Sequence, residues 1–105
     1  MKNHIALDRD GFLSCAEHWN EQVAEQLAST EGLALGEAHW EIILLVRRFY
    51  AEFDLSPAMR PLVNYVRLNL GPDKANSIYL MGLFPGSPAR LAAKIAGLPK
   101  PDKCL

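Results

Sequence analysis

Glycine and proline cut this chain into helix-sized pieces. Gly32, the Gly71-Pro72 pair, Phe84-Pro85-Gly86 and Gly97 each close a run of apolar residues at helical spacing. Ser56-Pro57 and Ser87-Pro88 each reopen one, with a cap residue and then proline at the first helical position. The longest piece, 37–53, lines Ile42, Leu45, Val46, Phe49 and Phe53 along one stripe. Glu37 and Glu41 lie in its first turn, where the helix dipole favours anions. The run from Ile42 to Val46 is apolar throughout, which predicts a buried central helix.

The other pieces follow the same logic. Ser14-Cys15-Ala16-Glu17 is a capping-box pattern and predicts a helix to about residue 29, with Trp19, Val23, Ala24 and Leu27 as its apolar face. After the Ser56 cap, Met59, Leu62, Val63, Val66 and Leu70 form the next face. A fourth helix near 73–83 is expected to turn Ile78, Met81 and Phe84 inward. A short fifth, from the Ser87 cap through Ala96, buries Leu91 and Ile95. Near the start, Ile5 and Leu7 alternate, Phe12-Leu13 follow, and Asp8-Arg9-Asp10-Gly11 reads as a turn, which predicts a short β-hairpin. The expected fold is therefore α+β: a mostly helical single domain of about five helices. A hairpin would occupy 1–13, a helical body 14–96 and an extended C-terminal arm 97–105.

Charge and composition narrow the function. With 105 residues, half of them apolar, one modest core can form without staples. No 18-residue apolar run calls for a membrane, and the first residues lack the apolar stretch of a signal peptide. Two cysteines 89 positions apart make no disulfide framework, so a reduced, cytoplasmic protein is expected. Residues 1–41 carry two basic and eight acidic groups, whereas residues 90–105 carry four basic and one acidic. Tight nucleic-acid binding wants a broad basic face. The helices around 54–56 resemble a helix-turn-helix with Arg60 and Arg67 as base or phosphate contacts, but an ordinary αα corner suits this charge balance better.

The tail is the chemically distinctive stretch. Pro99 and Pro101 stiffen Gly97-Leu98-Pro99-Lys100-Pro101-Asp102-Lys103-Cys104-Leu105, and Cys104 stands one residue from the end. As polyproline II, the path from Gly97 to Cys104 covers roughly 20 Å. Lys100 and Lys103 favour the thiolate at Cys104, while the terminal carboxylate on Leu105 opposes them. From the residues alone, a nucleophilic thiol on an arm and an incidental surface cysteine at a chain end stand level. Arg60, Arg90 and Lys94 are candidate cations for holding the arm or its sulfur anion, against the reading of a solvated surface. Cys15 and His18, three apart, make at most half a metal site, and His39-Trp40-Glu41 reads as a structural helix start.

Several motifs in order tip that balance. Lys94-Ile95-Ala96-Gly97-Leu98-Pro99-Lys100-Pro101 followed by Cys104 resembles the C-terminal signature of the TusE/DsrC family of sulfur carriers. His39-Trp40-Glu41, Phe49-Tyr50 with Glu52-Phe53, Ser56-Pro57-Ala58 with Arg60, Asn76-Ser77 with Tyr79-Leu80, and Leu83-Phe84-Pro85 resemble it too. The similarity runs from about Asp8 to Leu105. DsrC-type members have a second arm cysteine where this chain has Ala93, so the resemblance points to the TusE branch, and Gly82 and Gly86 depart from the family pattern. The resemblance implies a persulfide carried on Cys104, with Arg60, Lys94, Lys100 and Lys103 supporting the arm or the persulfide. It implies a TusBCD-like donor complex, an MnmA-like tRNA thiolase as acceptor, tRNA met only indirectly, no membrane, and no metal or cofactor. Such a chain is a sulfurtransferase in the sense of carrying sulfur covalently. The alternatives are a DsrC-like partner in dissimilatory sulfur metabolism and a helix-turn-helix nucleic-acid binder.

Overall fold

The computed structural model describes residues 6–101. Five α-helices carry the fold: α1 (Glu21–Thr30), α2 (Glu37–Phe53), α3 (Met59–Leu70), α4 (Ser77–Leu83) and α5 (Pro88–Ile95). Among the described residues no helix is long and apolar enough to cross a membrane.

The hub is the short α5, which packs against α1, α2, α3 and α4. Its sequence explains this placement. Ala89, Ala92, Ala93 and Ala96 are all buried, and such small side chains let neighbouring helices come close. Ile95 adds one large, fully buried side chain. The long helix α2 lies across α3 and α5 and buries Ile42, Ile43, Leu45, Val46 and Phe49. Its bounds match the expected 37–53, but Leu44 and Phe53 are about half exposed, so its apolar run is wider than its buried face.

The expected N-terminal β-hairpin is overturned, and the α+β class with it: among the described residues there is no strand or sheet. Ile5 lies outside them. The chain does reverse at Asp8–Gly11, but one isolated antiparallel bridge, Leu7 with Leu13, is all that pairs. The reversal is a closed loop rather than a ladder. The Asp8 carboxylate accepts from the amides of Asp10 and Phe12, each at 2.9 Å, taking donors a hairpin would use across strands. Phe12 and Leu13 are then buried in succession, which a strand with alternating faces cannot do.

Helix starts differ from the capping patterns in three places. Ser14 does not cap α1; residues Ala16–His18 form a 3-10 turn, and Asn20 caps α1 by accepting from Val23 N–H at 2.9 Å. The fourth segment breaks into a 3-10 turn, Pro72–Lys74, and α4, which Asn76 caps through Tyr79 N–H at 2.8 Å. In α4 the inward face is Leu80, with Phe84 just beyond the helix, whereas Ile78 and Met81 are exposed, contrary to expectation. Both stripes of α4 are apolar. The one that wins, Tyr79, Leu80, Leu83 and Phe84, is the larger. It is also pinned: His39 at the start of α2 meets the Leu83 carbonyl through Nε2 at 2.9 Å and stands edge-on to the Phe84 ring. The other ring nitrogen of His39 accepts from Gly36 N–H, so His39 closes the start of α2 as its motif suggested. Finally, the α2–α3 connection is five residues long, and Ala58 rather than Ser56 precedes α3.

Candidate functional site

The root of the arm grows directly out of α5. Leu98 N–H bonds back to Ala93 O at 2.9 Å and Gly97 N–H to Lys94 O at 3.1 Å, with Gly97 at φ +75° between them. This is a Schellman C-cap, which needs a residue free to adopt the left-handed conformation. A second constraint fixes glycine there. A Cβ on Gly97 would clash with the Trp19 side chain.

Side chains from three other segments then hold three carbonyls where α5 passes into the arm. Trp19 Nε1–H donates to Ile95 O at 2.9 Å, Arg47 Nη1 to Ala96 O at 2.6 Å, and Ser56 Oγ–H to Pro99 O at 2.6 Å. Arg47 also lies over the Trp19 ring, 3.9 Å from its centroid, so its guanidinium serves both a π face and a carbonyl. Partial burial lowers the Arg47 pKa from its ordinary value. Ser56 is itself buried and its hydroxyl is turned to the arm rather than to a helix N-terminus. Leu98 and Pro101 are buried, and Pro99 and Lys100 are exposed. Lys100 reaches Asp10 at 3.5 Å. Grooves of about 370 Å³ flank the root on two sides, both lined by Tyr50, Pro99 and Lys100.

The predicted site residues are thus spread out. Lys100 lies on the arm. Lys94 is buried, pairs with Glu31 at the end of α1 and passes close beneath Gly11. Arg60 is exposed on α3, beside Asn64 and Arg67. Arg90 lies 5.3 Å from the centre of the Phe12 ring. Cys104 and Lys103 lie outside the described residues. Cys15 is a partly exposed free thiol, and among the described residues no three His, Cys, Asp or Glu are grouped to hold a metal. Trp19, Arg47 and Ser56, which grip the root, were not picked out by sequence. Ser56 was hidden by its Ser-Pro cap pattern and Trp19 by its place on an apolar face. The one available signal for Arg47 was a cation set directly against the buried stripe of α2.

A whole-length match decides the family. The family model described as "DsrC like protein" matches residues 1–105. The chain belongs to the DsrC-like family. It is 52% identical to the sulfurtransferase TusE of Pectobacterium atrosepticum, over 96% of this chain and 93% of that one. It is 50% identical to the sulfurtransferase TusE homolog of Haemophilus influenzae, with the same coverage of both. Among solved structures it resembles Allochromatium vinosum DsrC, with TM-score 0.87, 44% identity and coverage of 96% of this chain and 90% of that one. It also resembles the oxidised DsrC, the gamma-subunit of the dissimilatory sulfite reductase, from Archaeoglobus fulgidus. There the TM-score is 0.83 and the identity 40%, with 96% and 92% covered. Within the DsrC-like family the sequence therefore stands with the TusE sulfurtransferases, among sulfur-relay proteins.

Proposed function

We propose that the chain is a cytoplasmic sulfur-relay protein that accepts a persulfide on Cys104 and hands it to a tRNA 2-thiouridylase for wobble-uridine thiolation. A TusBCD-like complex would be the donor and an MnmA-like enzyme the acceptor. The observation that carries this reading is the whole-length identity with TusE sulfurtransferases together with an arm whose root is fastened at three carbonyls. A carrier thiol must be presented outside the body yet start from a defined point, and a gripped root three residues before Cys104 supplies that point.

The chemistry balances without an external oxidant. The Cys104 thiolate attacks the outer sulfur of the donor's persulfide; a new S–S bond forms on Cys104, the donor's S–S bond breaks and the donor thiolate leaves. The acceptor's thiolate then attacks the outer sulfur of Cys104–S–SH, and the Cys104 thiolate leaves. In this scheme Lys100 and Lys103 stabilise the anionic sulfur or the docked arm, and Lys94 acts indirectly, by tying the end of α5 to α1. With Ala93 buried against the root and no thiol there, the intramolecular disulfide of a two-cysteine arm has no second partner, which disfavours the DsrC-like alternative.

Intact mass after exposure to inorganic polysulfide tests the proposal, with wild type set beside Cys104→Ser and Cys15→Ser. A gain of one sulfur, about 32 Da, that vanishes only in Cys104→Ser is the expected result. Sulfur retained in Cys104→Ser refutes the assignment.

A further inference from the structure

The docked root shortens the arm. Because Pro101 is buried on the body, Cys104 lies only three residues beyond that anchor. Fully extended, they reach roughly 10 Å, half the span the free arm would have. A protein that exchanges sulfur with Cys104 must therefore come down onto the body beside the root.

One face there is prepared for contact. The groove at Pro99 and Lys100 shares Ala58 and Pro61 with a second, larger groove of about 820 Å³ along α3. The two run together from the root to Arg67. Arg60, Asn64 and Arg67 occupy successive turns of one side of α3, and Met59 and Val63 supply apolar lining. No carboxylate lines the α3 part, and Asp54 lies at the root end. Arg67 Nη1 donates to Asn64 Oδ1 at 2.9 Å, which ties one guanidinium to a neighbouring lining residue. Half-exposed Leu55 adds an apolar edge at the root. Arginines around an apolar strip are typical of a protein interface.

We propose that this α3 groove is the docking surface for the acidic rim of the protein that exchanges sulfur with Cys104, with Arg60 and Arg67 as its electrostatic anchors. This rests on the sulfur-relay reading above. The occupant is an acidic protein surface rather than nucleic acid, because the cations form a narrow two-turn stripe on a chain of net charge −1.

The test is transfer from a sulfur-loaded TusBCD-type complex to Cys104, followed by intact mass over a range of chain concentrations. Wild type is compared with Arg60→Glu and Arg67→Glu, and inorganic polysulfide loading serves as the partner-free control. The expected result is a half-saturating concentration at least about tenfold higher in the reversals, with the maximal rate and polysulfide loading unchanged. The wild-type advantage should disappear by about 0.5 M salt. Unchanged half-saturation with normal loading overturns the groove and leaves the carrier reading standing. Failure of polysulfide to load wild-type Cys104 overturns both. Normal transfer by reversals that instead lose tRNA binding in a gel shift, or a dimer seen in sedimentation, assigns the groove to those occupants and also overturns the proposal.

Discussion

The root of the arm and helix α4 are mirror images of one another. The root, rich in proline and placed near a chain end, has the composition of a free strut, yet Leu98 and Pro101 are buried and three side chains hold its carbonyls. Helix α4 has the composition of a core element, yet Ile78 is 84% exposed and Met81 46%. The difference teaches that apolarity does not by itself assign burial. What decides is whether a complementary surface is left to receive the segment. Leu98 finds a place in the core cluster and the carbonyls beside it find side-chain donors, whereas Leu80 and Phe84 already fill the space under α4.

The comparison breaks hardest at Gly97. Gly97→Ala meets both the left-handed φ and the Trp19 contact, and should cost about 3 kcal/mol. For a chain of this size that is a fall in Tm on the order of 15 °C by thermal unfolding. A loss under about 1 kcal/mol would mean that the root is not seated as described.

Ser56→Ala should have a middling effect, about 1 kcal/mol, because the Pro99 carbonyl loses its partner in a part-buried hydrogen bond. Hydrogen exchange sharpens the point. The Leu98 amide should exchange faster, while the first turn of α3 should not change, as it would if Ser56 were a helix cap.

On the other side of the comparison, Ile78→Ser should change stability by less than about 0.5 kcal/mol in denaturant titration. A large loss there would restore Ile78 to the core and undo the contrast with Leu80.

Much of this was legible in the residues. The bounds of α2, the start of α5 at Ser87-Pro88 and the stop at Gly97 are local events, set by proline, glycine and helical periodicity within a few positions. The TusE-like branch was readable from the motifs and from Ala93. The hairpin was misread because its turn residues are real but the pairing stops at one bridge: the Asp8 carboxylate takes the amides of Asp10 and Phe12. Ser56 was misread because Ser-Pro is a sound cap signal, and only a distant carbonyl, 43 positions away, competes for the hydroxyl.

By itself, then, the sequence determined the bounds of α2, the start of α5 and its stop at Gly97, which family the chain belongs to and which cysteine its family resemblance singles out. Those properties depend on neighbours a few residues apart or on whole-length motifs. Only the tertiary structure decided which apolar stripe of α4 is covered and that α5 rather than α2 is the hub. It also decided that Trp19, Arg47 and Ser56 converge on one short stretch of backbone. Each of these is a competition between groups 40 or more positions apart, such as Trp19 with Ile95 and Arg47 with Ala96, and its outcome depends on the space that packing leaves.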